Sequence, residues 1–236
     1  MKRINLLVVC ILFMQAAFAQ WQGNFQMSVI NSSRPEPVVI DFTIKDTISL
    51  MVIKNERMAP FKTITDRGNN TSTMLIEQGG TNMAIRRKIN NHPASAAQNE
   101  SNVKVIATEE VKEISGYKCK KYLASDENKN MEYWMTEEDI LPWLEVLEIT
   151  KTPGRGMARM QRPIGYQDMK GVPVQYIITD RKTNEITTVT FSNIKKQPVP
   201  NSVFDMSGYQ MQEMPDLPPG MEMPMPPGAT PHSDHK

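Results

Sequence analysis

The chain has 236 residues, with 27 Lys plus Arg balanced against 26 Asp plus Glu for a formal charge of +1. So even a balance gives no electrostatic basis for wrapping nucleic acid. Two cysteines and three histidines in the whole chain leave little material for a zinc site, a disulfide framework or an imidazole-based catalytic group.

The first nineteen residues have the build of a cleavable export signal. Lys2 and Arg3 form a positive start, residues 6–13 an apolar run, and Ala17-Phe18-Ala19 a small-residue site before Gln20. The apolar run is short of the roughly 20 residues a membrane span needs. Cys10 follows Val9 in the middle of that run, not a small residue at its end, which argues against a lipoprotein signal. Cleavage between Ala19 and Gln20 removes Lys2 and Arg3, lowers the charge to −1 and leaves Cys119 as the lone thiol. The expected location is periplasmic or extracellular, extending to association with the outer membrane, with no transmembrane segment after cleavage.

The mature chain reads as short strands joined by turn chemistry. Phe25, Met27 and Val29 alternate with Gln26 and Ser28; runs at 38–44, 48–53 and 61–65 follow, with breaks at Lys45-Asp46 and Gly68-Asn69-Asn70. Residues 73–77 and 82–88 flank Gly79-Gly80, a strong hairpin signal. Residues 90–101, rich in Asn, Ala, Ser and Gln, read as an exposed loop. Residues 103–114 suggest a long strand, and 117–123 with 131–135 another hairpin about the polar turn 125–130. A last hairpin takes 172–179 and 186–194 around 180–184.

One helix is expected, from about 140 to 149. Asp139 suits an N-cap, Pro142 falls in the first turn where its missing N–H costs nothing, and Ile140, Leu144 and Leu147 share a face. The loop 151–163 after it holds Lys151, Arg155, Arg159 and Arg162 and no acid. From Pro215 on, Pro, Met and Gly dominate without periodicity, the composition of a disordered tail. The domain reading is therefore signal 1–19, a single β domain 20–214, and tail 215–236. The fold class is mainly β: a strongly curved antiparallel sheet, a half-open barrel, with one helix on its concave face.

Several short motifs then occur in a familiar order. Residues 114–122, Ile-Ser-Gly-Tyr-Lys-Cys-Lys-Lys-Tyr, and 131–136, Met-Glu-Tyr-Trp-Met-Thr, resemble the signature of a family of secreted Bacteroidetes proteins, the domain of unknown function 4412. Thr63-Ile64-Thr65-Asp66 and Thr73-Met74-Leu75 are similar to its first half. Gly171-Val172-Pro173, residues 179–183 and Ser202-Val203-Phe204-Asp205 are similar to its end. The resemblance spans most of 25–210. In outline that family is similar to the LolA and LolB lipoprotein carriers, whose half-open barrel holds acyl chains beneath helices. The resemblance thus implies the fold and a lipid or lipoprotein partner, and supplies no catalytic residue.

Among candidate sites, Cys119 lies between Lys118 and Lys120, cations that would lower a thiol pKa. Strand alternation, however, places both on the other face and leaves Cys119 with Tyr117, Lys121 and Leu123, a small core-facing residue. Tyr133 and Trp134 point to opposite faces, so at most one is expected in the core, and Trp143 is expected to pack. Met211, Met214, Met221, Met223 and Met225 with His232 and His235 have a composition that suits Cu(I). Glu137, Glu138 and Asp139 sit where a helix dipole favours anions.

The expected function is non-catalytic binding of an apolar ligand or lipidated partner, with no cofactor, through Ile140, Leu144 and Leu147 and with Arg155 and Arg159 at the mouth. The alternatives are an envelope interaction module whose hollow is filled by its own side chains and, more weakly, metal handling by the tail.

Overall fold

The computed structural model describes residues 21–55, 58–89, 103–150 and 163–214. Twelve strands form one sheet in the order β12-β6-β5-β4-β3-β2-β1-β11-β10-β9-β8-β7. The first meander is β1 (Gln22–Asn31), β2 (Arg34–Lys45), β3 (Ile48–Asn55), β4 (Met58–Asp66), β5 (Thr71–Gln78) and β6 (Thr81–Lys88). It starts at the centre of the sheet and runs outward. The second is β7 (Lys104–Ile114), β8 (Tyr117–Ser125), β9 (Lys129–Thr136), β10 (Val172–Asp180) and β11 (Ile186–Lys196). It starts at the opposite edge and runs inward until β11 pairs with β1, with Met27 opposite Phe191 and Val29 opposite Val189. The last strand, β12 (Gln210–Glu213), adds to β6 in parallel. It is the one departure from the antiparallel sheet expected from the sequence.

Turn chemistry sets these hairpins. Gly79 and Gly80 have φ of +63° and +80°, and Asp46, Asn70, Asn184 and the Ser115-Gly116 pair also lie at positive φ, where side chains other than those of Gly, Asn and Asp are disfavoured. Edge strand β7 is largely exposed and carries Lys104, Glu109, Glu110, Lys112 and Glu113, charges that discourage pairing with another chain.

The helix α1 (Trp143–Thr150) is shorter than the 140–149 helix expected. Pro142 disfavours helical backbone at Leu141, so the helix cannot begin earlier. The Pro142 carbonyl accepts from the N–H of Glu145 at 2.9 Å and of Val146 at 3.0 Å, which puts Pro142 at the cap. Asp139 lies outside the helix and pairs with Lys196 at 3.0 Å on the surface. The face assignment also changes. Trp143, Val146, Leu147 and Ile149 are buried, whereas Leu144 is 68% exposed.

Two apolar layers result. The larger covers the inner face, on which α1 lies, and includes Phe25, Met27, Ile40, Phe42, Tyr133, Tyr176, Val189 and Phe191. Phe25 stacks on Phe42 with centroids 4.8 Å apart. The smaller lies on the outer face of β3–β6, where Ile64, Leu75 and Ala84 are buried beneath Phe204, Met206 and Tyr209. Residues 201–214 therefore form a strap over the back of the sheet, opening with a short 3-10 helix, Asn201–Phe204, and closing with β12.

Candidate binding face

The inner face is built from rows of side chains that cross the strands. In an antiparallel ladder, directly opposed residues share a face. One row runs Phe25–Phe42–Met51–Thr63–Met74–Ile85 across β1 to β6. A second runs Phe191–Met27–Ile40–Ile53–Phe61, and Ile76 and Met83 continue it on β5 and β6. Burial falls along both. Phe191, Met27, Phe25 and Phe42 are buried, Ile53 and Phe61 partly so, and Met74, Ile76, Met83 and Ile85 half-buried. A third row, Ile44–Ser49–Thr65–Ser72–Arg87, brings three buried hydroxyl residues side by side.

The β1–β2 and β9–β11 half of this face is covered. Trp143 meets Tyr166, Tyr176 and Phe191 edge-on, with centroids 5.8–6.1 Å apart. The segment before β10 closes the second part of the cover. The Tyr133 hydroxyl donates to the Ile164 carbonyl at 2.6 Å, and the Ile164 N–H donates to Met131 Sδ at 3.3 Å. Gly165 sits at φ +66°, and a Cβ there would come within 2.8 Å of both Val103 and Val105. Gly171, at φ +89°, would place one 1.9 Å from the Thr136 carbonyl oxygen. Glycine at both positions lets this segment lie flat on the sheet. Arg67, after β4, reaches up to pair with Glu145 of α1 at 2.8 Å and ties the helix to the first meander.

The structure distributes the expected binding residues unevenly. Ile140 and Leu147 are 8% exposed, held in the core rather than offered to a ligand, and Leu144 faces away from both. Arg155 and Arg159, with the whole basic loop, lie outside the described residues, as do Ala19, Gln20, the 90–101 loop, all three histidines and Met221, Met223 and Met225. Met211 is 41% exposed on β12. Among the described residues no group of three His, Cys, Asp or Glu side chains is placed to hold a metal ion. Sequence reasoning missed the half-buried apolar residues of β5 and β6. Their signal was that β5 is apolar on both faces, Met74 and Ile76 inward and Leu75 outward.

Two readings of the β8–β9 hairpin need correction. Tyr133 and Trp134 are both buried, at 0% and 5% exposure. They do point to opposite faces, but Trp134 is covered on the outside by Lys112, 3.9 Å above its ring, and by Lys121 at 5.5 Å, and its indole donates to Glu132 at 2.7 Å. On β8, the residues turned to the inner core are Tyr122 and Ala124, while Leu123 is 38% exposed. The tip of the β7–β8 hairpin reaches across β9 and β10, and the Ser115 hydroxyl donates to the Phe191 carbonyl at 2.8 Å. Cys119 is fully buried beside that tip, opposite Lys112 in the ladder. Burial pushes its thiol pKa up, so it stays protonated. Burial likewise pushes the Tyr176 phenol up.

The family model described as a domain of unknown function, DUF4412, matches residues 22–209. No curated protein matches the chain. Among solved structures, PNGF-II aligns at a TM-score of 0.42 and 13% identity over 83% of this chain and 32% of its own. This chain thus spans about a third of that protein's length. The lipoprotein LppX from Mycobacterium tuberculosis aligns at 0.41 and 11% identity over 80% of this chain and 92% of its own. A domain assigned to outer membrane lipoprotein sorting from Vibrio parahaemolyticus aligns at 0.22 and 11% identity, covering 83% and 94%.

Proposed function

Given that the chain belongs to the DUF4412 family, a domain of unknown function, we propose from its own geometry that it is an exported, non-catalytic binding protein for an apolar ligand or a lipidated partner. One observation carries this reading. The apolar rows of the inner face do not stop where α1 and residues 163–171 stop covering them. They continue onto β4–β6 as Phe61, Met74, Ile76, Met83 and Ile85, still apolar and only half-buried. Apolar side chains left at the water boundary gain about 25 cal/mol for each Å² a ligand removes from solvent. Export comes from the signal read at residues 1–19, and the basic residues Arg155 and Arg159 would attract an anionic head group to the mouth. The buried, protonated Cys119 is not poised as a nucleophile.

The test is uptake of a fluorescent long-chain fatty acid by the mature protein, with Ile76→Asp and Met83→Asp combined as the binding-face variant. Saturable uptake that weakens at least about tenfold in the variant, with unchanged circular dichroism, is the expected result. Absence of uptake in the unaltered protein rejects the reading.

A second reading has its own observation. The covered half of the inner face is filled by aromatic side chains of the chain itself, with Trp21, Phe25, Phe42, Trp143, Tyr176 and Phe191 in successive ring contacts. An envelope interaction module with a self-filled core would look so. Native mass spectrometry of protein from its own host separates the two: bound lipid favours the first, and a bare chain the second.

A further inference from the structure

A cleft of about 190 Å³ opens on the outer face of the sheet, between β3–β6 and the strap. It lies on the side away from α1 and from the inner face. Ile48 and Ile64 floor it, and Phe204 and Met206 of the strap wall it. The ladder fixes the polar groups. Ile64, Thr73 and Arg86 stand in one row, and Ile48, Asp66, Thr71 and Lys88 in the next, with Lys88 outside the cleft lining. Asp66 and Arg86 are thus two strands and one pleat apart, roughly 12 Å between Cα atoms at ordinary sheet spacings. Both line the cleft, with Thr71 and Thr73 of β5 on the rows between them, and no ion pair joins the two.

Asp66 pairs with no cation among the described residues, and Arg86 pairs through one nitrogen alone, with Glu213 of the strap. Among the described residues the Asp66 carboxylate accepts only from the Asn69 backbone N–H at 3.1 Å and its side-chain amide at 2.6 Å, neutral donors that hold it still. The Arg86 guanidinium reaches Thr73 through Nε and Glu213 through Nη1, both at 3.4 Å, and Glu213 is 65% exposed. Its Nη2 has no partner among the described residues.

An anion held by neutral donors, a cation with a free N–H edge and an apolar wall between them form a complementary set. We infer that this cleft binds a small zwitterion of amino-acid size carrying an apolar side group. The ligand's carboxylate lies on Arg86, its ammonium on Asp66, and its side group between Ile48, Ile64, Phe204 and Met206. The cleft's roughly 190 Å³ is many times the ~10–15 Å³ that a single water needs, which admits such a molecule. Paired charges at this distance also reject ligands with only one of the two groups, since the unmatched charge then remains without its counter-ion.

Calorimetric titration of the mature protein with L-leucine tests this, with L-leucinamide and 4-methylpentanoate as analogues that each lack one charge. The expected result is a Kd below about 1 mM for leucine and at least about tenfold weaker binding of both analogues. Asp66→Asn retains the oxygen that accepts from the Asn69 N–H. Asp66→Asn and Arg86→Gln should each weaken leucine binding by at least about tenfold and leave fatty-acid uptake at the inner face unchanged. No leucine binding, equal binding of the analogues, or binding indifferent to both substitutions would each overturn the assignment.

Discussion

The Trp143 indole meets the Phe191 ring edge-to-face, with centroids 5.8 Å apart and planes at 82°. Phe191 sits on β11, which joins the two meanders, so this contact fastens α1 to the seam of the sheet. Leu144, one residue on, is 68% exposed. Adjacent positions on one helix therefore have opposite consequences. Trp143→Ala should destabilise by about 3–5 kcal/mol, whereas Leu144→Asp should stay within about 0.5 kcal/mol. Trp143→Phe should cost less than the alanine change, because the indole N–H is buried without a partner among the described residues and its removal relieves an unsatisfied donor. Urea unfolding of the three variants checks the order.

Cys119 should behave as a core residue. Its Sγ donates weakly to the Tyr117 carbonyl at 3.3 Å, and its side chain is fully buried. Cys119→Ser should cost about 1–3 kcal/mol for a poorly satisfied hydroxyl. A bulky thiol reagent should label the native protein no faster than it opens. The folded thiol pKa is raised by burial. Its stabilising effect is therefore fully present below the unfolded value of about 8.5 and is lost as pH rises through the folded value. Denaturation midpoints measured across that range should fall more in the native sequence than in Cys119→Ala, where only the raised tyrosines contribute. Identical pH profiles would contradict the shift.

The strap carries a latch with a pH window. Glu77 accepts from Lys62 at 2.6 Å and from the Tyr209 hydroxyl. The Lys62 bond, then the Tyr209 bond, holds the Glu77 carboxyl below its usual range. The Glu77 carboxylate in turn raises Tyr209 to about 12. The carboxylate's contribution is present above its unfolded value of about 4.3 and is lost as pH falls through the lower folded value. The phenol's contribution is present below its unfolded value of about 10 and is lost as pH rises through about 12. Hydrogen-exchange protection of β12 should accordingly hold at neutral pH and decline toward both extremes. Tyr209→Phe should remove the alkaline limb and, because it takes away the second of the two bonds that lower Glu77, shrink the acid limb as well.

Most strands were legible because their turns depend on local chemistry. Gly79-Gly80 and Asn70 adopt the positive φ that their residue types permit, so the hairpins follow from neighbours alone. The helix was legible in existence but not in its face. The pairing of Ile140 with Leu144 assumed both were helical, and Pro142 breaks that register before it starts. The strap left no local signal. Gln210 pairs with Met83 and Glu213 with Arg86 across more than half the chain, and a four-residue exposed strand has no alternation to read. For the same reason the outer cleft, made from that strap, could not be foreseen. The half-open inner rows could have been, from the apolar residues on both faces of β5.

Where the chain is ended should therefore matter sharply. A chain stopped after Met214 keeps every described strap contact, including the Met214 N–H to Arg86 carbonyl bond of 2.7 Å, and its melting temperature should be unchanged. A chain stopped after Pro200 loses Phe204, Met206, Tyr209 and β12. It uncovers Ile64, Leu75 and Ala84 and leaves β6 as an unpaired edge. Each apolar side chain returned to water costs up to about 1.5–3 kcal/mol, and for a domain of this size each kcal/mol lowers the melting temperature by about 2–4 °C. A fall on the order of 10 °C is expected, together with association through the open β6 edge, visible by calorimetry and size-exclusion chromatography. Equal melting temperatures and monomeric behaviour for the two truncations would show that the strap neither stabilises nor protects the sheet.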